Sequence, residues 1–266
     1  MKKIKIYQCV ANQVCAPYRL ILPSIELNKL DDIEVKQIQN LNARTLDEVY
    51  QEANIVIIQR QKLSNNLLQI IHELNKREII VVYEIDDDLI NIDPESRYAF
   101  TTSDDFSVKV RECIASSQCI QCSTRSLAES LISINTEAAV LENQLDFVAP
   151  FSNKSNNKES IVVGYAAGND HFHDWQNIRE VYNKIISELK HRNINIETWI
   201  IGDQAIFDSI NSARKRFFPM LPKHDYLKFI SNLDISIIPL KNNKFNQSKS
   251  DIKYLELLVT FESTLA

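Results

Sequence analysis

Asp234-Ile-Ser-Ile-Ile-Pro-Leu240 leads, after a few polar residues, into Phe245-Asn-Gln-Ser-Lys-Ser-Asp-Ile-Lys-Tyr-Leu-Glu256. The β-branched run predicts a buried strand over Ile235–Pro239 that ends in Pro-Leu. A polar loop follows, and Lys249 and Ser250 then open a helix that carries Glu256. Open α/β sheets bind ligands at the carboxyl ends of their strands, where such a loop and helix start would lie.

Outward from this stretch, short β-branched runs alternate with longer helical patterns, the signature of α/β layers on parallel sheets. In the first part of the chain strands are predicted at Ile4–Val10, Ile33–Ile38, Ile55–Gln59, Ile79–Tyr83, Cys119–Cys122 and Ala138–Leu141. Helices are predicted at Tyr18–Lys29, Ser64–Lys76, Asp104–Ala115 and Ser126–Ile132. Leu67, Leu68, Ile70, Ile71 and Leu74 give the second of these a core-facing stripe. Ser152-Asn-Lys-Ser-Asn-Asn-Lys-Glu-Ser160 is too polar to bury and reads as a linker. A second series then runs through strand Ile161–Tyr165, helix Trp175–Lys190, strands Ile194–Ile201 and Lys215–Phe218, and helix Lys223–Ser231. The expected division is therefore a Rossmann-like domain over 1–150, a linker over 151–160 and a second Rossmann-like domain over 161–266.

Composition narrows the function. A net charge of -5 and no basic stripe give no footprint for nucleic acid. Glycine is scarce: Gly164, Gly168 and Gly202 are the only three, where average usage of ~7% would give about 19. Residues 1–163 contain none, which excludes a glycine-rich phosphate loop there and sends any phosphate binding to the C-terminal half. Cys119-Ile-Gln-Cys122 has no second Cys or His pair at a matching distance, so the five cysteines read as buried, reduced thiols. No apolar run reaches the ~18 residues of a spanning helix, and Lys5 breaks the N-terminal run, so a cytoplasmic location is the default expectation.

Three further clusters could carry chemistry. Gly164-Tyr-Ala-Ala-Gly-Asn-Asp-His-Phe-His-Asp-Trp175 places a strand, a small-residue turn and a helix start in order, so backbone N–H groups would face an anion. Asp170 or Asp174 could cap that helix. His171 could donate to a phosphate oxygen, whereas His173 has no assigned part. Glu84-Ile-Asp-Asp-Asp-Leu89 stacks like charges at a strand end, which requires compensation by a cation, a helix N-terminus or solvent. Arg60 and Arg19 sit at the end of a strand and the start of a helix. Each could steer an anion or simply be solvated or ion-paired.

These motifs resemble, in order and over about Lys3 to Glu256, the group 1 retaining glycosyltransferases of GT-B fold. The polysaccharide and O-antigen subgroup is the nearer match, reading Phe-Asn-x-x-Lys-Ser-x-Ile-Lys-Tyr-Leu-Glu where this chain agrees at nine positions. The subgroup also reads Gly-Tyr-Ala-Gly-x-x-x-His-x-x-Asp-Leu. Gly164, Tyr165, Ala166, His171 and Asp174 match it, and Ala167 replaces the second glycine. Tyr-Glu-x-Asp-Asp-Asp-Leu matches around Asp86–Asp88, and Ser123–Leu127 and Leu141–Asp146 resemble further family segments.

The resemblance implies two Rossmann-like domains facing a cleft and transfer of a sugar from a nucleotide-diphosphate donor to a glycan or polysaccharide acceptor. It implies retention of configuration, with neither metal nor cofactor. Glu256, Lys249, Ser250, His171 and Gly168 would bind the donor. Asp86, Asp87, Asp88, Arg19 and Arg60 would lie on the acceptor side, or Asp86–Asp88 would form an exposed acidic turn. No residue is assigned as catalytic. The family often carries a second glutamate eight positions before the one at Glu256, and Ser248 stands there. After Glu256 the family continues Tyr-Ala-Ala-x-Gly-x-Pro, a strand and crossing helices, whereas Leu257 to Ala266 contain neither Gly nor Pro. An incomplete second domain in a C-terminally truncated chain is therefore expected. The alternatives are an inactive remnant of such an enzyme and a non-catalytic nucleotide-binding or interaction module. Peripheral contact with a membrane is compatible with all three.

Overall fold

The computed structural model describes residues 3–11, 14–60, 65–94, 105–145, 159–168 and 171–262. They divide into two compact units. The first holds the described residues up to 91, those from 105 to 145, and 247–250. The second holds 92–94, those from 159 to 246, and 251–262. Most of the expected linker, along with Ser64, Asp104 and Asp170, lies outside the described residues.

The first unit is built on six parallel strands: β1 (Ile4–Cys9), β2 (Ile33–Ile38), β3 (Ile55–Gln59), β4 (Ile80–Ile85), β5 (Cys119–Cys122) and β6 (Ala138–Val140). Their order is β2-β1-β3-β4-β5-β6. Val56 and Ile58 of β3 and Val81, Tyr83 and Ile85 of β4, at alternate positions, are fully buried, and Ile57 and Val82 between them are half-buried, which is why these runs read as largely apolar. The chain first turns from β1 to β2 and then crosses back to β3, so the sheet has its topological switch point between β1 and β3.

Helices α1 (Leu22–Leu27), α2 (Ala43–Glu52), α3 (Asn65–Lys76), α4 (Phe106–Ser116) and α5 (Arg125–Leu131) connect these strands. The helix expected over Tyr18–Lys29 opens instead with a π-helical turn, Pro17–Ile21. Pro23 has no N–H to give to the carbonyl four residues back, and that carbonyl, on Arg19, accepts from Gln121 Nε2 at 3.3 Å. Helix α2 was not expected from its polar composition. A capping box starts it: Asn42 Oδ1 accepts from the Thr45 N–H at 3.1 Å, and Thr45 Oγ1 accepts from the Asn42 N–H at 2.9 Å.

The second unit has four parallel strands, β7 (Ile161–Ala166), β8 (Ile196–Ile201), β9 (Lys215–Phe218) and β10 (Ile235–Ser236), in the order β10-β7-β8-β9. Its helices are α6 (Phe172–His191), α7 (Gln204–Asp208), α8 (Lys223–Ser231), α9 (Lys244–Gln247) and α10 (Ile252–Glu262). Trp175, Tyr182 and Ile186 of α6 pack with Tyr165 and Ile200 on one face of the sheet. Leu227 and Ile230 of α8 and Leu257 of α10 pack with Val162, Ile201 and Leu233 in a separate cluster. A Cβ on Gly164 would fall 2.4 Å from the Leu233 side chain, so β7 needs its glycine where the chain approaches β10.

Two expectations from the opening stretch require correction. The buried strand over Ile235–Pro239 is a two-residue edge strand with Ile235 48% exposed, because β10 pairs only with β7. The Ile237 N–H still donates to the Gly164 carbonyl at 3.0 Å, but Pro239 has no N–H with which to continue a ladder. The helix carrying Glu256 opens after Asp251, whose carbonyl accepts from the Tyr254 and Leu255 N–H groups, so Lys249 and Ser250 precede it in a loop. An apolar groove of about 380 Å³ runs along β10 and α10, lined by Ile235, Ile238, Tyr254, Leu257 and Leu258 among others.

Candidate functional site

In the first unit, the expected residues gather at the carboxyl ends of β3 and β4, beside the switch point. Arg60 follows β3 directly and its Nη1 lies 2.7 Å from Asp87 Oδ2 and 3.1 Å from Asp86 Oδ1. Lys249 Nζ lies 3.7 Å from the other oxygen of Asp87. Asp88 is fully buried and accepts from the N–H groups of Ile90 and Asn91 and from Asn91 Nδ2. The three adjacent carboxylates are thus compensated by the chain's own cations and amides. Burial and the neighbouring Asp87 push the Asp86 carboxyl upward, against the pull of Arg60. Among the described residues no three His, Cys, Asp or Glu side chains converge where they could hold a metal ion.

Arg19 is placed differently from an anion-steering cation. It is 2% exposed, its Nε donates to Glu84 Oε1 at 2.7 Å, and its Nη1 donates to Asn143 Oδ1 at 3.1 Å and to the Leu141 carbonyl. Burial and the nearby Asp86 push the Glu84 carboxyl up, against the pull of Arg19. Asn143 also donates to Ser250 Oγ at 2.8 Å, and Thr124 Oγ1 donates to the Ser248 carbonyl at 2.9 Å. Lys249 and Ser250 therefore belong to the first unit, whereas Glu256, His171 and Gly168 belong to the second. Sequence reasoning left out Glu84 and Asn143. Both lay within family-like segments, Glu84 in Tyr83–Leu89 and Asn143 in Leu141–Asp146, but neither segment said that these two side chains would meet on Arg19.

In the second unit the chain leaves β7 toward β8 on one side and returns as β10 on the other, so β7 and β10 flank a second switch point. Several side chains meet at its carboxyl end. Lys253 Nζ, on α10, donates to the carbonyl of Ala166, the last residue of β7, at 3.2 Å, and lies 3.0 Å from His171 Nε2. His171 Nδ1 is 2.9 Å from Asp174 Oδ2. Both ring nitrogens thus have partners within the chain, which differs from the expectation of a phosphate-facing N–H.

Asp174 is not a helix cap, as expected for it or for Asp170. His171 occupies the N-cap of α6 without a side-chain cap bond, and Asp174 lies in the first turn. Its Oδ1 accepts from the Lys241 N–H and from Asn246 Nδ2, each at 2.7 Å. Burial pushes this carboxyl up, but the bonds from His171, Lys241 and Asn246 outweigh it and hold it below the ordinary value. One turn beyond Lys253 on α10, Glu256 is 5% exposed, and its Oε2 accepts from Tyr226 OH at 3.1 Å.

Among the described residues, nothing lies within 4 Å of where a Cβ on Gly168 would fall. Gly202, after β8, has φ 92°, and a Cβ there would fall 2.2 Å from the Ala167 carbonyl oxygen. Lys253 and Asn246 were visible only as matched motif positions, and Tyr226 and Lys241 carried no sequence signal.

None of the five cysteines, all among the described residues, forms a disulfide. Cys9, Cys113 and Cys122 are buried as expected, whereas Cys15 and Cys119 are only partly so, and burial pushes the Cys113 and Cys122 thiols up to about 12. No helix among the described residues is long and apolar enough to cross a membrane.

No protein-family model and no curated protein matches the chain. Solved structures do. A putative UDP-N-acetylglucosamine 2-epimerase from Listeria monocytogenes is similar at 11% identity and TM-score 0.53, covering 89% of this chain and 74% of its own. A mutant O-GlcNAc transferase of Thermobaculum terrenum is similar at 11% identity and TM-score 0.56 over 100% of this chain, which spans 60% of that one. HepE of Anabaena, solved with UDP and glucose, is similar at 13% identity and TM-score 0.56, covering 97% of this chain and 78% of its own. At these identities the likeness is one of fold: α/β, with Rossmann-like units of the GT-B type.

Proposed function

We propose that the second unit binds a nucleotide-diphosphate sugar and that the chain transfers the sugar, with retention, to a glycan or polysaccharide acceptor held by the first unit. The observation that carries this reading is the meeting of Lys253, His171 and Asp174 at the β7/β10 switch point, with buried Glu256 one turn along α10. A departing diphosphate needs positive charge, and Lys253 supplies an ammonium at the strand end. A ribose offers two hydroxyls, and Glu256, braced by Tyr226, supplies the carboxylate to accept them.

The structural neighbours include both transferases and epimerases, so the choice of transfer rests on the residue resemblance at Phe245–Glu256. A cytoplasmic location and metal-free chemistry complete the proposal, the latter supported by the pairing of Asp86 and Asp87 with Arg60.

Calorimetric titration with uridine, guanosine and cytidine diphosphates tests the site. Glu256→Gln is expected to weaken whichever nucleotide binds by about tenfold to a hundredfold, since a hydrogen bond to a charged group contributes ~1.5–3 kcal/mol. Unchanged affinity would remove Glu256 from the site. Ser248, buried where the family's sugar-contacting carboxylate stands, favours a second reading: a module that binds nucleotide without turnover. Nucleoside diphosphate binding with no release of sugar from any nucleotide sugar would establish that reading.

A further inference from the structure

Asp174 joins two loops that flank the second switch point. Oδ1 accepts from Lys241 and Asn246, in the segment that follows β10, and Oδ2 meets His171, in the segment that follows β7. An ammonium at 3.0 Å from His171 Nε2 requires a lone pair on that nitrogen, so the ring proton sits on Nδ1 and is donated to Asp174. The carboxylate therefore fixes the tautomer that lets the imidazole accept from Lys253. The Ala166 carbonyl fixes the same ammonium from a second direction.

We propose that Asp174 is a positioning residue for the donor diphosphate. Through His171 it holds the Lys253 ammonium at the end of β7, and through Lys241 and Asn246 it holds the loop after β10. The crevice is then assembled before a nucleotide enters, which lowers the ordering cost of binding. This inference rests on reading the second unit as a nucleotide-sugar site.

Asp174→Asn separates this role from bulk folding. The Lys241 N–H and Asn246 Nδ2 are donors, so they draw the asparagine oxygen toward themselves and leave its NH₂ facing His171. The imidazole must then accept at Nδ1 and carry its proton on Nε2, where it meets Lys253 donor to donor. Nitrogen-15 NMR of the imidazoles is expected to show the His171 proton on Nδ1 in the native chain and on Nε2 in Asp174→Asn. An unchanged tautomer would overturn the inference.

In calorimetry with the three nucleoside diphosphates, Asp174→Asn is expected to cost about tenfold in affinity in the native background and almost nothing in a Lys253→Met background, because contacting residues couple. Equal losses in both backgrounds would show a merely structural carboxylate and overturn it. His171→Phe, which removes both ring nitrogens, is expected to give the same background dependence and serves if Asp174→Asn does not fold. Native-level affinity in Asp174→Asn, with Glu256→Gln impaired, overturns this inference alone. Absence of binding by the native chain overturns the proposed function with it.

Discussion

Arg19→Met tests whether the first unit uses this arginine as a brace or as a binding group. The arginine is 2% exposed and donates to Glu84, Asn143 and Leu141, so its removal leaves a buried carboxylate, a buried amide oxygen and the part-buried Leu141 carbonyl without this donor. Breaking a buried ion pair by deleting one partner costs ~3–5 kcal/mol. Treating three orphaned partners separately at ~1–3 kcal/mol each gives a ceiling of about 9, and non-additivity favours the lower figure.

With a urea slope of ~2 kcal/mol/M, the midpoint of the first unit should fall by about 1.5–2.5 M. The cost should also grow with pH. Without Arg19 the Glu84 carboxyl rises further, the folded state binds a proton that the unfolded state has released, and stability declines above ~4.3, the unfolded value, by up to ~1.36 kcal/mol per pH unit until the folded value is passed. Trp175 and Trp199, the chain's two tryptophans, both lie in the second unit. Far-ultraviolet circular dichroism follows both units and fluorescence follows only the second, so the variant should shift the first signal more than the second. A loss below ~1 kcal/mol, or a variant that gains stability from pH 5 to pH 8, would refute the reasoning.

The two glycines near the end of β7 and β8 separate structure from ligand. Gly202→Ala, at φ 92° and against the Ala167 carbonyl, should cost ~2 kcal/mol or more in thermal or urea unfolding. Gly168→Ala, with no described residue within 4 Å of its Cβ, should stay within ~0.5 kcal/mol of the native stability and yet weaken nucleoside diphosphate binding. Asp174 has a folded-state value below its unfolded one, so its stabilisation is present above about pH 4 and is lost as pH falls through the lower folded value. Asp174→Asn should accordingly flatten the acid limb of the fluorescence-detected stability profile.

The elements that could be read from the sequence are those whose burial is continuous along the chain. β3 and β4 are fully buried on one face and half-buried over much of the other, and their apolar runs carry that information locally. Helix α2 escaped notice because Val49 is its only fully buried position and its start is set by an asparagine–threonine pair. The strand at Ile235 appeared longer than it is because β-branched residues report propensity, whereas the edge position that ends β10 depends on its neighbours in the sheet. The start of α10 was displaced for a similar reason: the segment before it is held by Thr124 and Asn143, more than a hundred residues away.

The candidate site shows the same division between local and distant causes. Scarcity of glycine pointed to the C-terminal half for phosphate, and the structure explains two of the three glycines without any ligand. Gly164 makes room for Leu233, and Gly202 adopts a backbone that a side chain would strain against Ala167. The described residues make no such demand at Gly168, although a residue with a side chain there would lose less conformational entropy on folding. Packing among the described residues thus accounts for Gly164 and Gly202 and leaves open space at Gly168, whose carbonyl accepts from the His171 N–H just beyond the end of β7. The proposed donor site would use that space to bring a diphosphate close to the backbone, and undiminished nucleoside diphosphate binding by Gly168→Ala would set this part for Gly168 aside.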